Sequence, residues 1–151
     1  KGRKMLADSL KTLLATEYAF SIKAQLFRWN VEGPDFAQLH EFFGNLYEEV
    51  YGNSIDKTAE YIRTLDEYAP GSFERYNELS QIQGQTKIPR ARLMIEELLA
   101  DNTTLINLLN DCFAVAEQEN NQGIANFIAE RLDAQAKHGW MLKSFLKDQR
   151  A

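Results

Sequence analysis

Residues 39–65 read LHEFFGNLYEEVYGNSIDKTAEYIRTL, and the phase of the apolar side chains along this run decides the fold. At 100° per residue, Leu39, Phe43, Leu46 and Val50 fall within about 60° of one another, as they would on one face of a helix. Tyr51, Ile55, Thr58, Ile62 and Leu65 form a second stripe, rotated by about 100°, which is one residue's worth. The phase changes at Tyr51-Gly52-Asn53-Ser54, where Gly, Asn and Ser are all weak interior helix formers. Two readings fit. One extra residue can be absorbed as a π-bulge, a distortion that favours functional sites; alternatively the helix is straight and buried on two faces between partners.

Working outward, three more stretches carry apolar residues at spacings of three and four. They run from Leu6 to Leu26, from Leu93 to Ala116 and from Ile124 to Leu146, too long for strands and suited to bundle helices. Gly33-Pro34 separates the first from the second, with Pro34 suited to a first helical position. Ala69-Pro70-Gly71-Ser72 closes the second, and Pro89 is expected to open the third. Asn120-Asn121-Gln122-Gly123 makes a tight turn that sets the last two helices antiparallel. Between 66 and 88 the connection is long, and Ser72 ahead of Phe73, Tyr76 and Leu79 predicts a short extra helix with its own N-cap.

Composition agrees. The chain has 151 residues, 44% hydrophobic and 26% charged, which suits one soluble all-α domain spanning 1–151 and excludes a disordered chain. Cys112 is the single cysteine, so no internal disulfide can form and stability rests on the core. The basic start at residues 1–4 leads into an amphipathic stretch, so neither a signal peptide nor a membrane span is expected and the location is expected to be cytoplasmic. The net charge of −5 is uneven: +4 over residues 1–30, −8 over 31–80 and −1 over the remainder. A nucleic-acid binder needs a basic field, which only the N-terminal end could supply, whereas the acidic middle suits cations.

No nucleophile constellation, Cys-x-x-Cys pair or phosphate-binding Gly loop is present. What remains is metal chemistry on helices. Asp56 and Glu60 are spaced i, i+4 and share a helix face, offering hard oxygen ligands. His40 lies sixteen residues before Asp56, about 24 Å along a helix, too far to share a metal with them in one chain. Only a symmetric interface could bring His40 of one copy beside Asp56 and Glu60 of another. No glutamate precedes either histidine by three, so the Glu-x-x-His pairs of an intrachain di-iron bundle are absent.

Four strings then carry a resemblance: Arg28-Trp29-Asn30-Val31-Glu32-Gly33-Pro34-Asp35-Phe36, Leu39-His40-Glu41, Asp56-Lys57-Thr58-Ala59-Glu60 and Ala69-Pro70-Gly71-Ser72. With Glu130-Arg131-Leu132-Asp133 and Lys137-His138-Gly139-Trp140 near the end, nearly the whole chain resembles the Dps family, the mini-ferritins. The resemblance implies a ferritin-like four-helix bundle with a short helix in the long connection, assembled as a homo-oligomer of twelve around a hollow. It implies ferrous iron as substrate, oxidised by hydrogen peroxide or oxygen at sites between two-fold related subunits and stored as ferric mineral. His40 matches one histidine ligand, Asp56 and Glu60 the carboxylate ligands from the two-fold partner, and Trp29 the tryptophan beside the centre. Asn126, Glu130 and Asp133 are similar to positions lining an acidic pore; an exposed acidic face is the plain alternative. Lys1, Arg3 and Lys4 would give DNA only weak, salt-sensitive contact.

Three departures bear on the chemistry. The family's first histidine ligand is Arg28 here, and a guanidinium cannot ligate a cation. An aspartate often found one turn after the second histidine is Gly44. The family's usual spacing from His to Asp is fifteen, against sixteen here, so Asp56 and Glu60 recover the family's positions only if the bulge forms; otherwise Ile55 and Ala59 would stand there. The expectation is a modified ferroxidase centre for iron, with zinc as an alternative occupant. The competing expectation is a Dps-like shell that has lost its centre and serves as a structural or DNA-associated assembly.

Overall fold

Four long rods form the molecule, and the second of them is interrupted. The computed structural model describes residues 1–147. Helix α1 spans Gly2–Asn30; α2, Phe36–Val50, runs without a break through a π-helical turn at Tyr51–Ile55 into α3, Asp56–Thr64. Helix α4, Phe73–Leu79, is the short extra helix, and α5, Ala91–Gln118, and α6, Gln122–Leu146, complete the bundle. Among the described residues there is no strand. Helix α1 packs against the α2–α3 rod, α4 and α5, while α5 lies along α6. Among the described residues no helix is long and apolar enough to cross a membrane.

Local chemistry explains the boundaries. Ser72 caps α4 by accepting from the Arg75 amide, and Asn121 caps α6 by accepting from Ile124. Asn120, at φ 54°, turns the chain between α5 and α6. Pro34 stands in the turn before α2, not in its first helical position. Gly33 at φ 113° bends the chain there, and its carbonyl accepts from the Phe36 amide. Pro89 likewise precedes the Arg90 cap of α5 instead of opening the helix. The core between the rods is made of fully buried side chains, Phe20, Phe27, Phe43, Leu46, Ile62 and Leu98 among them.

The extra residue in the second rod is absorbed as a π turn, so the bulged reading holds and the straight helix does not. Ser54 and Ile55 go inward while Gly52, Asn53 and Asp56 stay exposed. A buried acid on α1 grips the turn. Glu17 sits in the leucine stripe of α1, where the Ser54 hydroxyl donates to one of its oxygens and Thr58 Oγ1 lies 3.0 Å from the other. Thr58 Oγ1 also lies 2.8 Å from the Ser54 carbonyl, to which it donates its only proton. A protonated Glu17 completes the set, because its own O–H then donates to Thr58. Burial pushes the Glu17 carboxyl up to about 7, against the opposing pull of Ser54 and Arg131.

The sign of the linkage follows. A carboxyl raised in the folded state stabilises fully below its unfolded value and loses that contribution as pH rises through its folded value. Urea denaturation at fixed protein concentration should therefore show stability falling by about 3 kcal/mol between pH 4.5 and 7, then levelling. Glu17→Gln keeps one donor and one acceptor in place and should remove this slope, leaving the variant the more stable above pH 7. Parallel curves for the two proteins would contradict the assignment.

Candidate metal site

The last turn of α1 and the first turns of α2 clasp each other through backbone and side chain together. Arg28 Nη1 donates to the His40 carbonyl at 3.1 Å, and His40 Nδ1 lies 2.8 Å from the Arg28 carbonyl. A carbonyl only accepts, so Nδ1 carries the proton and Nε2 keeps a lone pair free for a metal. The Phe36 ring stacks on the imidazole at 5.3 Å, which fixes its plane. The Arg28 guanidinium lies across Gly44: a Cβ built there would come within 2.6 Å of Arg28 Cζ. Trp29, next in sequence, is 64% exposed and borders an open groove with Ile22, Phe73 and Tyr76.

Asp56 and Glu60 emerge exposed from the far side of the π turn. Neither makes an ion pair among the described residues, and neither meets Arg28 in the same chain. Nor does the fold bring them to His40; among the described residues no three His, Cys, Asp or Glu side chains gather to hold a metal. Glu60 instead borders a groove with Lys57, Asn126 and Glu130. Asn126, Glu130 and Asp133 all lie exposed on α6, where Asn126 Nδ2 donates to Glu130 at 3.4 Å.

Inside the bundle lies a polar network that the sequence reading missed. Arg131 donates to both oxygens of Glu49 at 2.6 and 2.8 Å, and His138 Nε2 lies 2.6 Å from Glu49 Oε1. Arg131 also donates to Gln135, which donates to Asn102, whose amide in turn donates to the Gln135 carbonyl. Burial alone would raise the Glu49 carboxyl, but hydrogen bonds from Arg131 and His138 outweigh it and hold the group far below the usual carboxylate range. His138 is thus tied to a carboxylate within the protein. The signal was available: Glu17, Asn102, Arg131, Gln135 and His138 occupy positions in phase with the apolar stripes of their helices.

Comparison with known proteins agrees with this architecture. Residues 7–151 match the Ferritin family model, a ferritin-like domain. A low temperature-induced protein of Nostoc is 32% identical over 149 residues, 97% of this chain and 83% of the relative. The DNA protection during starvation protein 2 of Bacillus anthracis is 28% identical, covering 95% of this chain and 97% of that one. The crystal structure of a Dps protein from Vibrio cholerae, described as a member of a superfamily of ferritin-like diiron-carboxylate proteins, superposes with a TM-score of 0.92. It is 28% identical and covers 97% of this chain and 91% of its own. The chain belongs to the Dps family of ferritin-like proteins.

The seating of Arg28 on Gly44 gives a test that needs no metal. Gly44→Ala must expel the guanidinium and break its bond to His40, which offsets the roughly 1 kcal/mol of helix propensity that alanine brings. In an Arg28→Ala background only the gain remains. A double-mutant cycle by thermal or urea denaturation should therefore show a coupling of about 1 kcal/mol between positions 28 and 44. Additive effects would contradict the contact.

Proposed function

We propose that this protein is an iron-sequestering mini-ferritin whose ferrous site is split between two copies of the chain, with His40 Nε2 from one and Asp56 and Glu60 from the other. The observation that carries this reading is complementarity at a distance. Near one end of the α2–α3 rod stand a free imidazole nitrogen and an arginine that, among the described residues, has no carboxylate of its own chain within 4.0 Å; further along stand two exposed acids without ion pairs among the described residues. An antiparallel two-fold pairing of rods would satisfy both sets at once. Exposed aromatic surface supports association of copies: Trp29, Phe36, Tyr51 and Phe73 are more exposed than a lone globule favours.

The chemistry follows from the donors. Two carboxylates and an imidazole hold a ferrous ion, and the anionic oxygens favour the ferric state as charge develops. Two ferrous ions give up one electron each; hydrogen peroxide takes both electrons with two protons and leaves as two waters. Ferric product then passes into the hollow of the assembled shell. The exposed acids Glu130 and Asp133, with Asn126, would draw cations toward an entry. Zinc could occupy the same donors without redox chemistry.

A second reading, a shell without this chemistry, draws support from Arg28 alone, since a guanidinium stands where a ligand would. A DNA-coating role has thin support. Helix α1 begins at Gly2, Arg3 pairs with Asp66 at 3.7 Å and Lys4 with Asp8 at 3.8 Å, so the basic end is partly spent within the chain.

Peroxide-driven ferrous oxidation, followed in the ultraviolet, tests the split site. His40→Ala and the double change Asp56→Asn, Glu60→Gln should each lower the initial rate at least tenfold. Refolding the two variants together in equal amounts leaves one intact site in every mixed pair, so about a quarter of the wild-type rate should return. No recovery on mixing would refute a site shared between copies. Equal rates in the wild type and both variants, at the level seen without protein, would favour the inert shell.

A further inference from the structure

The pairing of Arg28 with Gly44 has a consequence for how many cations the site takes. The guanidinium lies in the hollow that any side chain at 44 would fill, and one of its N–H groups is anchored on the backbone carbonyl of His40. Among the described residues, no carboxylate of its own chain neutralises it. A fixed positive charge is therefore tied to the backbone of the residue that carries the free ligand nitrogen. The change in charge is also telling. Relative to a site with histidine at 28 and aspartate at 44, arginine adds one positive charge and glycine removes one negative charge. Together they shift the site by two charges, which is the charge of one divalent cation.

We propose that Arg28, seated on Gly44, is a built-in cation that takes the place of one metal ion, so that each site binds a single divalent cation where a two-metal centre would bind two. This inference rests on the split site proposed above. The guanidinium fills the space and balances the charge that a second ion would have supplied, and His40 Nε2 with Asp56 and Glu60 of a second copy hold the remaining one. Gly44 is needed because the arm of Arg28 crosses its Cα; a residue with a side chain there would push the charge out of the site.

The assembled protein titrated with cobalt(II) chloride, a redox-silent stand-in for ferrous iron, decides the matter by calorimetry and by the visible bands of bound cobalt. The count that matters is the cobalt lost on His40→Ala. The wild type should bind one such cobalt per chain, and the double variant Arg28→His, Gly44→Asp two. Arg28→Gln, which keeps the length of the arm and removes its charge, should bind its single cobalt at least tenfold more tightly, and it covers the case in which the double variant does not assemble. Two cobalt per chain in the wild type, one in both the wild type and the double variant, or unchanged affinity in Arg28→Gln would each overturn the built-in cation. None in the wild type but two in the double variant would show that Arg28 closes the site altogether, which also overturns single occupancy. No His40-dependent cobalt in any variant would instead overturn the split site on which the inference rests.

Discussion

One surplus residue between Val50 and Asp56 governs what the second rod can present. A regular helix would have to carry it as a one-residue rotation of everything downstream, turning Ile62 out of the core. The π turn takes up the excess locally, and the Glu17 carboxyl, with the Ser54 and Thr58 hydroxyls, holds the turn from inside. The core face of α3 thus stays in phase with that of α2, and Asp56 and Glu60 reach the surface. A polar group buried at such cost needs its partners, and here each hydroxyl and the acid have one. The same tether links the bundle interior to the acids of the candidate site, two residues beyond Ser54.

The other end of the site is set by a compensating pair. A side chain as long as that of Arg28 would ordinarily crowd its neighbours, yet here the helix opposite offers a glycine. The arm of Arg28 lies over that glycine and reaches the His40 backbone, while the imidazole returns a bond to the Arg28 backbone. The departure at 28 and the departure at 44 are therefore one structural change and not two. It leaves the imidazole oriented with Nε2 free.

Much of this was legible in the residues. The helices, the cap at Ser72 and the short α4 follow from periodicity and punctuation, and the phase shift at 51–54 marked the place where the helix departs from regularity. What periodicity could not decide was whether the shift meant a bulge or a doubly buried helix, because both put apolar groups on the same two faces. Glu17 decides it, and its role depends on a partner 37 residues away in sequence. The Glu49–Arg131–His138 network escaped for a related reason: Arg131 and His138 lie in phase with the apolar stripe of α6, but the carboxylate that pairs with them, Glu49, stands on another helix 82 residues from Arg131. The contact of Arg28 with Gly44 was likewise hidden, since a missing side chain gives no sign of what occupies its space.

Anomalous diffraction at the iron edge, on crystals of the assembled protein soaked anaerobically in ferrous salt, tests the split site most directly. A peak bounded by His40 Nε2 of one chain and by Asp56 and Glu60 of another is the predicted result. Density for Arg28 bonded to those two carboxylates, with no iron between them, would contradict it and leave a shell without the chemistry proposed for it.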